Sequence, residues 1–176
     1  MNEHTTFAGG CFWCLEAVFE MLKGVHSATS GYAGGDPARA DYKAVCNGDT
    51  GHAEVVRVEF DPAVISFRDL LAVYFAIHDP TTLNRQGADV GTQYRSAVFT
   101  ESEQQKTETD AFIAELSKTS PKPIVTVVVP LETFFPAEEY HKQYYQRNPG
   151  QSYCLAVVGP KVAKAKKQFA HLLKSE

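Results

Sequence analysis

Cys11 and Cys14 stand three residues apart in Gly10-Cys11-Phe12-Trp13-Cys14, beside the only tryptophan of the chain. Thiols so spaced have three uses: nucleophilic or redox chemistry as a pair, half of a zinc site, or apolar packing. Residues 5–8 read as a short strand ending at Gly9-Gly10, and the apolar run that follows reads as a helix. Cys11 is thus expected on the first turn of that helix, where unpaired amide donors and the helix dipole favour a thiolate. A zinc site needs a second pair. Cys46 and Cys154 are isolated, and His52, His78 and His141 lie in no ligand spacing. Cys14 falls on the apolar side of the helix, so packing stays open for it.

Other residues could join such chemistry. Glu54, Val56, Val58 and Phe60 share one face of an alternating strand. If that row faces the core, the Glu54 carboxyl lies at the core's edge, where burial raises its pKa and makes it a proton donor near neutrality. If Glu54 sits just before the strand proper, it reaches water. Tyr42 and Tyr94 border loops and offer neutral hydrogen-bond donors, although a tyrosine more often packs its ring and wets its hydroxyl. Asp89, in a long polar loop, reads as a solvated turn residue. Cys46 reads as a packed thiol. His52 and His78 are either general bases or satisfied structural groups. The glycine runs 31–35 and 47–51 lack both the Lys-Ser/Thr of a phosphate loop and a helix-opening G-x-G-x-x-G, so they are turns.

The elements that must position these groups follow from periodicity. Over residues 11–23 the polar positions Glu16, Glu20 and Lys23 form one stripe on an otherwise apolar helix, which predicts burial on most sides, with Gly24 as its stop. A weak strand covers residues 25–32. Ser66 caps a helix in which Phe67, Leu70, Leu71, Tyr74 and His78 recur at helical spacing. The loop over residues 79–92 is long enough to suggest function. A strand over 94–99 follows, then a capping box of Thr100 with Glu103 opening a helix to about Ser117. Residues 124–129 read as a strand and 137–146 as a tyrosine-rich helix. Gly159-Pro160 opens a lysine-rich C-terminal helix over about 160–174. The expectation is one α+β domain spanning residues 1–176, with helices on a small, mainly antiparallel or mixed sheet.

Composition bounds the partners. The 176 residues are 44% hydrophobic and 22% charged, ordinary for a globular chain. A net charge of −4 argues against nucleic acid or an anionic membrane as the main partner. No apolar run is long enough to span a bilayer, and no basic-then-apolar leader opens the sequence. Four cysteines are too few for a disulfide scaffold and fit a reducing cytoplasm.

Taken together, several ordered motifs resemble the A-type peptide methionine sulfoxide reductases. They are Gly10-Cys11-Phe12-Trp13, Gly31-Tyr32-Ala33-Gly34-Gly35, and Gly48-Asp49-Thr50-Gly51-His52-Ala53-Glu54. His78-Asp79-Pro80, Gly91-Thr92-Gln93-Tyr94-Arg95-Ser96 and Phe135-Pro136-Ala137-Glu138-Glu139-Tyr140-His141 continue the match, which covers roughly residues 7–154 in family order.

The resemblance implies a two-layer α/β sandwich with a ferredoxin-like core. It also implies reduction of the S epimer of methionine sulfoxide, free or in proteins, as repair after oxidative damage. Cys11 matches the nucleophile, Glu54 the acid, Tyr42 and Tyr94 the tyrosines on the sulfoxide oxygen, and Asp89 an aspartate of the site. Phe12 and Trp13 match the apolar wall for the ε-methyl group. Cys154 matches a recycling cysteine. Cys14 stands where many members have glycine and, at helical i,i+3 spacing, is a second relay or an alternative resolver. No bound cofactor is implied; thioredoxin, or dithiothreitol in vitro, supplies the electrons. The residues alone keep one rival open, a thiol-disulfide oxidoreductase using Cys11 and Cys14.

Overall fold

The computed structural model describes residues 1–175. In chain order the elements are β1 (Glu3–Ala8), α1 (Phe12–Phe19), β2 (Val25–Ala33), α2 (Tyr42–Cys46), β3 (Ala53–Phe60) and α3 (Phe67–Ile77). A two-residue hairpin follows, β4 (Arg85–Gln86) with β5 (Asp89–Val90). Then come β6 (Ala97–Thr100), α4 (Glu103–Thr119), β7 (Val127–Pro130), β8 (Phe135–Pro136), α5 (Tyr144–Arg147) and α6 (Gly159–Gln168). A π-helical turn, Cys154–Val158, leads into α6.

Six strands form one sheet in the order β7-β6-β1-β3-β2-β8. Only β6 and β7 run parallel; every other neighbouring pair is antiparallel. The inner four strands with α1 and α3 make the ferredoxin-like core expected from sequence. β1 is central and buried: the Phe7 ring stacks on Phe19 at 5.1 Å and on Tyr74 at 4.7 Å, which ties α1 and α3 to one strand. Burying a ring of this kind contributes about 1.5–3 kcal/mol. Val56, Val58 and Phe60 of β3 enter the same helix-covered core, as their alternation requires. The opposite face is thinner: Ala8, Ala33, Ala53, Val55, Ala97 and Phe99 lie under Val129, Leu131 and Phe134.

Several boundaries depart from the periodic reading. α1 stops at Phe19, ahead of Gly24, because the chain beyond it bonds elsewhere. Lys23 N–H donates to Leu172 O at 2.7 Å, and Lys174 N–H to Met21 O at 2.8 Å. The same pairing ends α6 at Gln168, short of the expected 174. α4 is capped by Ser102, whose hydroxyl accepts the Gln105 N–H at 3.1 Å; Thr100 is still paired within β6 and cannot serve. The expected strands over 94–99 and 124–129 shorten to β6 and β7, with Thr92–Tyr94 a 3-10 turn. The expected helix over 137–146 is broken by Gln143 in the left-handed region (φ 50°), leaving a 3-10 turn at Glu139–His141 and the short α5. The capping box at Ser66 is present, with Asp69 as its partner.

Candidate active site

Cys11 caps α1 from outside its first turn, with extended backbone angles (φ −63°, ψ 128°). Gly10 before it has φ +90°, and a Cβ there would come within 2.9 Å of Gln86 Cγ. Glycine is thus needed twice over. Gln86 is itself pinned: its Nε2 donates to Asp79 O at 2.5 Å and its Oε1 accepts from Asp79 N at 2.9 Å. The hairpin β4–β5 is held against Gly10 in this way, and Asp89 on β5 is carried to the site.

Cys11 gives its helix no side-chain cap. The first helical amide, Phe12 N–H, donates instead to Glu54 Oε1 at 3.2 Å, forty-two residues along the chain. Glu54 is 1% exposed on β3, so its row faces the core and it does not reach water. Burial raises its carboxyl from 4.5 to about 8; the Phe12 amide pulls it down, and Asp89 adds to the rise. The carboxyl is therefore mostly protonated at neutral pH.

The thiolate expected at Cys11 is not what the site favours at rest. Burial pushes this thiol well above its ordinary value, and Glu54 and Cys14 push the same way. The Trp13 amide and the Tyr153 hydroxyl draw it down, but desolvation outweighs them. The helix terminus acts as expected and loses to burial.

Tyr42 opens α2. Asp41 caps that helix at Ala44 N, and the Tyr42 N–H donates to Glu138 Oε2 at 2.9 Å. The other oxygen of Glu138 accepts the Tyr32 hydroxyl at 2.7 Å. One carboxylate thus fixes the start of α2. The Tyr42 and Tyr94 hydroxyls are both raised, first by burial and then by neighbours that include Glu54 and Cys11, so both remain donors. Asp89 is a bonded residue and not a solvated turn: Tyr153 Oη donates to its Oδ2 at 2.5 Å.

Phe12 is wholly buried, with its ring stacked toward Tyr42 and tilted against His141. Trp13 is half-buried. Its Nε1–H donates to His141 Nδ1 at 2.9 Å, and its ring lies face to face with Tyr144 at 3.8 Å and 5°. Of the expected apolar wall, Trp13 keeps some exposed surface and Phe12 backs it from within.

All four cysteines are free thiols. Cys14 is buried and raised to about 11 by desolvation, with Lys161 opposing and Asp89, Cys154 and Glu54 adding. Cys154, at the head of the π-helical turn, has no exposed surface. Cys14 therefore sits among groups that include both Cys11 and Cys154. Cys46 is exposed, contrary to a packed thiol, and neighbours the Tyr42 hydroxyl. His52 and His78 are structural. The His52 ring accepts from Gly35 N at 3.1 Å and donates to Asp36 O at 2.7 Å. Among the described residues, no three His, Cys, Asp or Glu side chains are gathered to hold a metal ion.

The structure thus brings Cys11, Glu54, Tyr42, Tyr94, Asp89 and Cys14 to one end of the sheet. Sequence reasoning missed Tyr153, Glu138, His141 and Gln86. Tyr153 adjoins Cys154, Glu138 and His141 lie in a motif that carries the resemblance, and Gln86 lies in the long polar loop, but nothing local gave their contacts.

Comparison with known proteins gives the family of the chain. Residues 3–173 match the family model described as peptide methionine sulfoxide reductase. The chain is 54% identical over 175 residues to the peptide methionine sulfoxide reductase MsrA of Deinococcus radiodurans, covering 98% of this chain and 85% of that protein. The crystal structure of Mxr1 from Saccharomyces cerevisiae in reduced form superposes with TM-score 0.81 at 38% identity, over 87% of this chain and 89% of that one. Mxr1 in complex with Trx2 superposes with TM-score 0.56 at 26% identity, over 81% and 84%.

Proposed function

This chain belongs to the peptide methionine sulfoxide reductase family, and from that premise we propose how its residues divide the work. The enzyme reduces methionine sulfoxide to methionine by thiol chemistry. The observation that carries the assignment of roles is the buried, mostly protonated Glu54 bonded to the amide next to Cys11. A sulfoxide sulfur becomes electrophilic when its oxygen is protonated or strongly hydrogen-bonded, and Glu54 with the Tyr42 and Tyr94 hydroxyls supplies those donors.

In the proposed step Glu54 gives its proton to the sulfoxide oxygen and Cys11 sulfur attacks the substrate sulfur. The hydroxyl passes from the substrate sulfur to Cys11 sulfur as the sulfur–oxygen bond and the transient sulfur–sulfur bond both break. The substrate sulfur gains two electrons and leaves as methionine, Cys11 sulfur gives up two, and Cys11 is left as a sulfenic acid. The Cys11 thiol proton restores Glu54, so protons balance. A neutral resting thiol suits this exchange, because attack and proton return are coupled to a bound sulfoxide. Trp13, backed by Phe12, receives the ε-methyl group, and the S epimer is the substrate. Asp89 holds Tyr153 beside Cys11.

A second cysteine then condenses with the sulfenic acid, forming a disulfide and releasing water. Cys154 is the proposed first resolver, and Cys14, which neighbours both Cys11 and Cys154, is a second relay or an alternative resolver. Thioredoxin reduces the product disulfide by exchange, with dithiothreitol as substitute in vitro; the likeness to Mxr1, solved with Trx2, supports this. No bound cofactor is required by these steps. Repair of oxidised proteins and recovery of free methionine sulfoxide in the cytoplasm during oxidative stress are the proposed tasks, without nucleic-acid or membrane partners. No helix is long and apolar enough to cross a membrane among the described residues. Residues 1–176 act as one domain in this reading, supported by a core cluster that runs from Phe7 to Phe169. The rival exchange of protein disulfides gives Glu54, Tyr42 and Tyr94 no task, and family membership does not favour it.

The test is one turnover with methionine S-sulfoxide, followed by mass-spectrometric mapping of the disulfide. We expect one equivalent of methionine and a disulfide joining Cys11, or its relay Cys14, to Cys154. Product without any disulfide would remove the recycling scheme, and no product from the S epimer would remove the catalytic one.

A further inference from the structure

Glu16 is a buried acid that the reaction does not use. It lies on α1 five residues after the nucleophile and is 2% exposed. Ser30 Oγ on β2 donates to its Oε2 at 3.1 Å, and the backbone amides of Gln143 and Tyr144 also face the carboxylate. One turn further along α1, Glu20 Oε2 accepts Gln146 Nε2 at 2.7 Å. The two acids of the polar stripe thus grip the start of α5, where Gln143 takes a left-handed conformation (φ 50°). The next residue, Tyr144, stacks on Trp13, and the chain then runs through Tyr153 to Cys154. Beyond α6 the chain returns to the turn that follows α1, with Lys174 N–H on Met21 O. α1 and the turn after it therefore carry Cys11 at one end and tie down both ends of the C-terminal segment.

We propose that Glu16 is a positioning residue for the recycling half of the cycle: by holding the amides of Gln143 and Tyr144, it sets the segment 143–158 so that Cys154 meets the oxidised cysteine. This rests on the assignment of recycling to Cys154. Apolar packing alone would not require an acid here, and a fully buried carboxyl is costly unless its bonds do something. The groups facing Glu16 are Glu20 on its own helix, Ser30 on β2, and the two amides of the segment; His26, Gln143, Gln146 and Lys174 edge the small cleft beside Glu20.

The arrangement has a pH signature. Burial raises the Glu16 carboxyl to about 7, with Glu20 adding and the Ser30 hydroxyl and the two amides opposing; undocking would relieve the part of that burial which the segment supplies. The docked segment thus holds a proton that the undocked one releases, so docking is strongest in acid and weakens as pH rises through that window.

Rapid-quench kinetics separate methionine formation from loss of free thiols, and the fluorescence of Trp13, the sole tryptophan, reports the stack with Tyr144. In Glu16→Gln we expect disulfide closure to slow about tenfold more than methionine formation. The native protein should change its emission between about pH 5 and about pH 8, and Glu16→Gln should lose that change. Ser30→Ala removes a donor to the ionised form without touching the segment, and should move that emission change to higher pH. Equal slowing of both steps, or an unchanged pH response, would overturn the anchor and reduce Glu16 to a packing role. If the native protein forms no disulfide through Cys154, the recycling reading itself falls; normal closure in Glu16→Gln removes the anchor alone.

Discussion

Two buried polar clusters flank Gly9-Gly10 at the same end of the sheet, and they are built on opposite plans. Around His78 every hydrogen has a place. His78 Nδ1–H donates to Tyr74 O and its Nε2 accepts from Ser96 Oγ at 2.7 Å, while Ser96 and Thr126 hydroxyls bond each other at 2.7 Å. Tyr74 Oη donates to Ala8 O at 2.6 Å. Around Cys11 the groups converge and satisfy one another only in part, as Tyr153 does with Asp89. Glu54 receives one amide, and the Tyr94 hydroxyl makes no hydrogen bond within the protein among the described residues. The first plan joins β1, α3 and β6; the second leaves donors and a thiol aimed at a common point. Burial alone therefore does not mark a catalytic group. What sets the proposed site apart is a protonated carboxyl and tyrosine hydroxyls gathered beside a thiol.

The sharpest way to break this contrast is to change one proton. Glu54→Gln keeps an oxygen for the Phe12 amide and removes the acid. The expected loss in single-turnover reduction is about 10³-fold, within the range for a positioned general acid. The sign with pH follows from the raised carboxyl: the native rate should fall as pH rises past about 8, where the donor is lost, and Glu54→Gln should lack that alkaline limb. Stopped-flow measurement with the S epimer decides. A native rate indifferent to Glu54 would place the proton elsewhere.

How far the sequence could anticipate this differs between the clusters. β1, β3 and α3 were legible because local rules and tertiary packing agree there: Val56, Val58 and Phe60 alternate into the core, and Ser66 meets Asp69 in a capping box. Glu54 was ambiguous because it stands at the strand's beginning, where alternation has no earlier residue to fix its face. The Cys11 thiol was misjudged because a helix terminus is local and desolvation is not. Residues 137–146 misled because their composition suits a helix, while Gln143 turns left-handed to bring its amide to Glu16. The bond from Tyr153 to Asp89, across sixty-four residues, has no local signature.

Smaller losses should follow from the tyrosines. Tyr42→Phe or Tyr94→Phe removes one neutral donor and leaves the other with Glu54, so each should cost about 10²-fold, the low end for one preorganised donor. The double variant should lose more than either single one. Because Tyr42 is also held through its backbone amide by Glu138, its ring should keep its place without the hydroxyl. Single-turnover rates on both variants would separate a shared oxygen site from two unrelated packing roles.

The weakest effect on chemistry, and the clearest on stability, belongs to the satisfied cluster. Ser96→Ala strands His78 Nε2 as a buried acceptor without a donor, which costs about 1–3 kcal/mol. For a chain of this size each kcal/mol lowers Tm by about 2–4 °C. Ser96 touches none of the reacting groups, so the rate of methionine formation should hold. The neutral state of His78 adds a pH test. Burial lowers its pKa from 6.5 to about 4, so between those values the unfolded chain binds the proton that the folded one refuses. Stability should then rise with pH across that window, by about 1 kcal/mol per unit, and be lost as pH falls. Thermal melts of the native protein and Ser96→Ala from about pH 4 to about pH 7, set beside single-turnover rates, check both halves. A Ser96→Ala enzyme that stayed stable but lost its rate would mean that the His78 cluster reaches through Gly9-Gly10 into the reaction, and the contrast between the two plans would fail there.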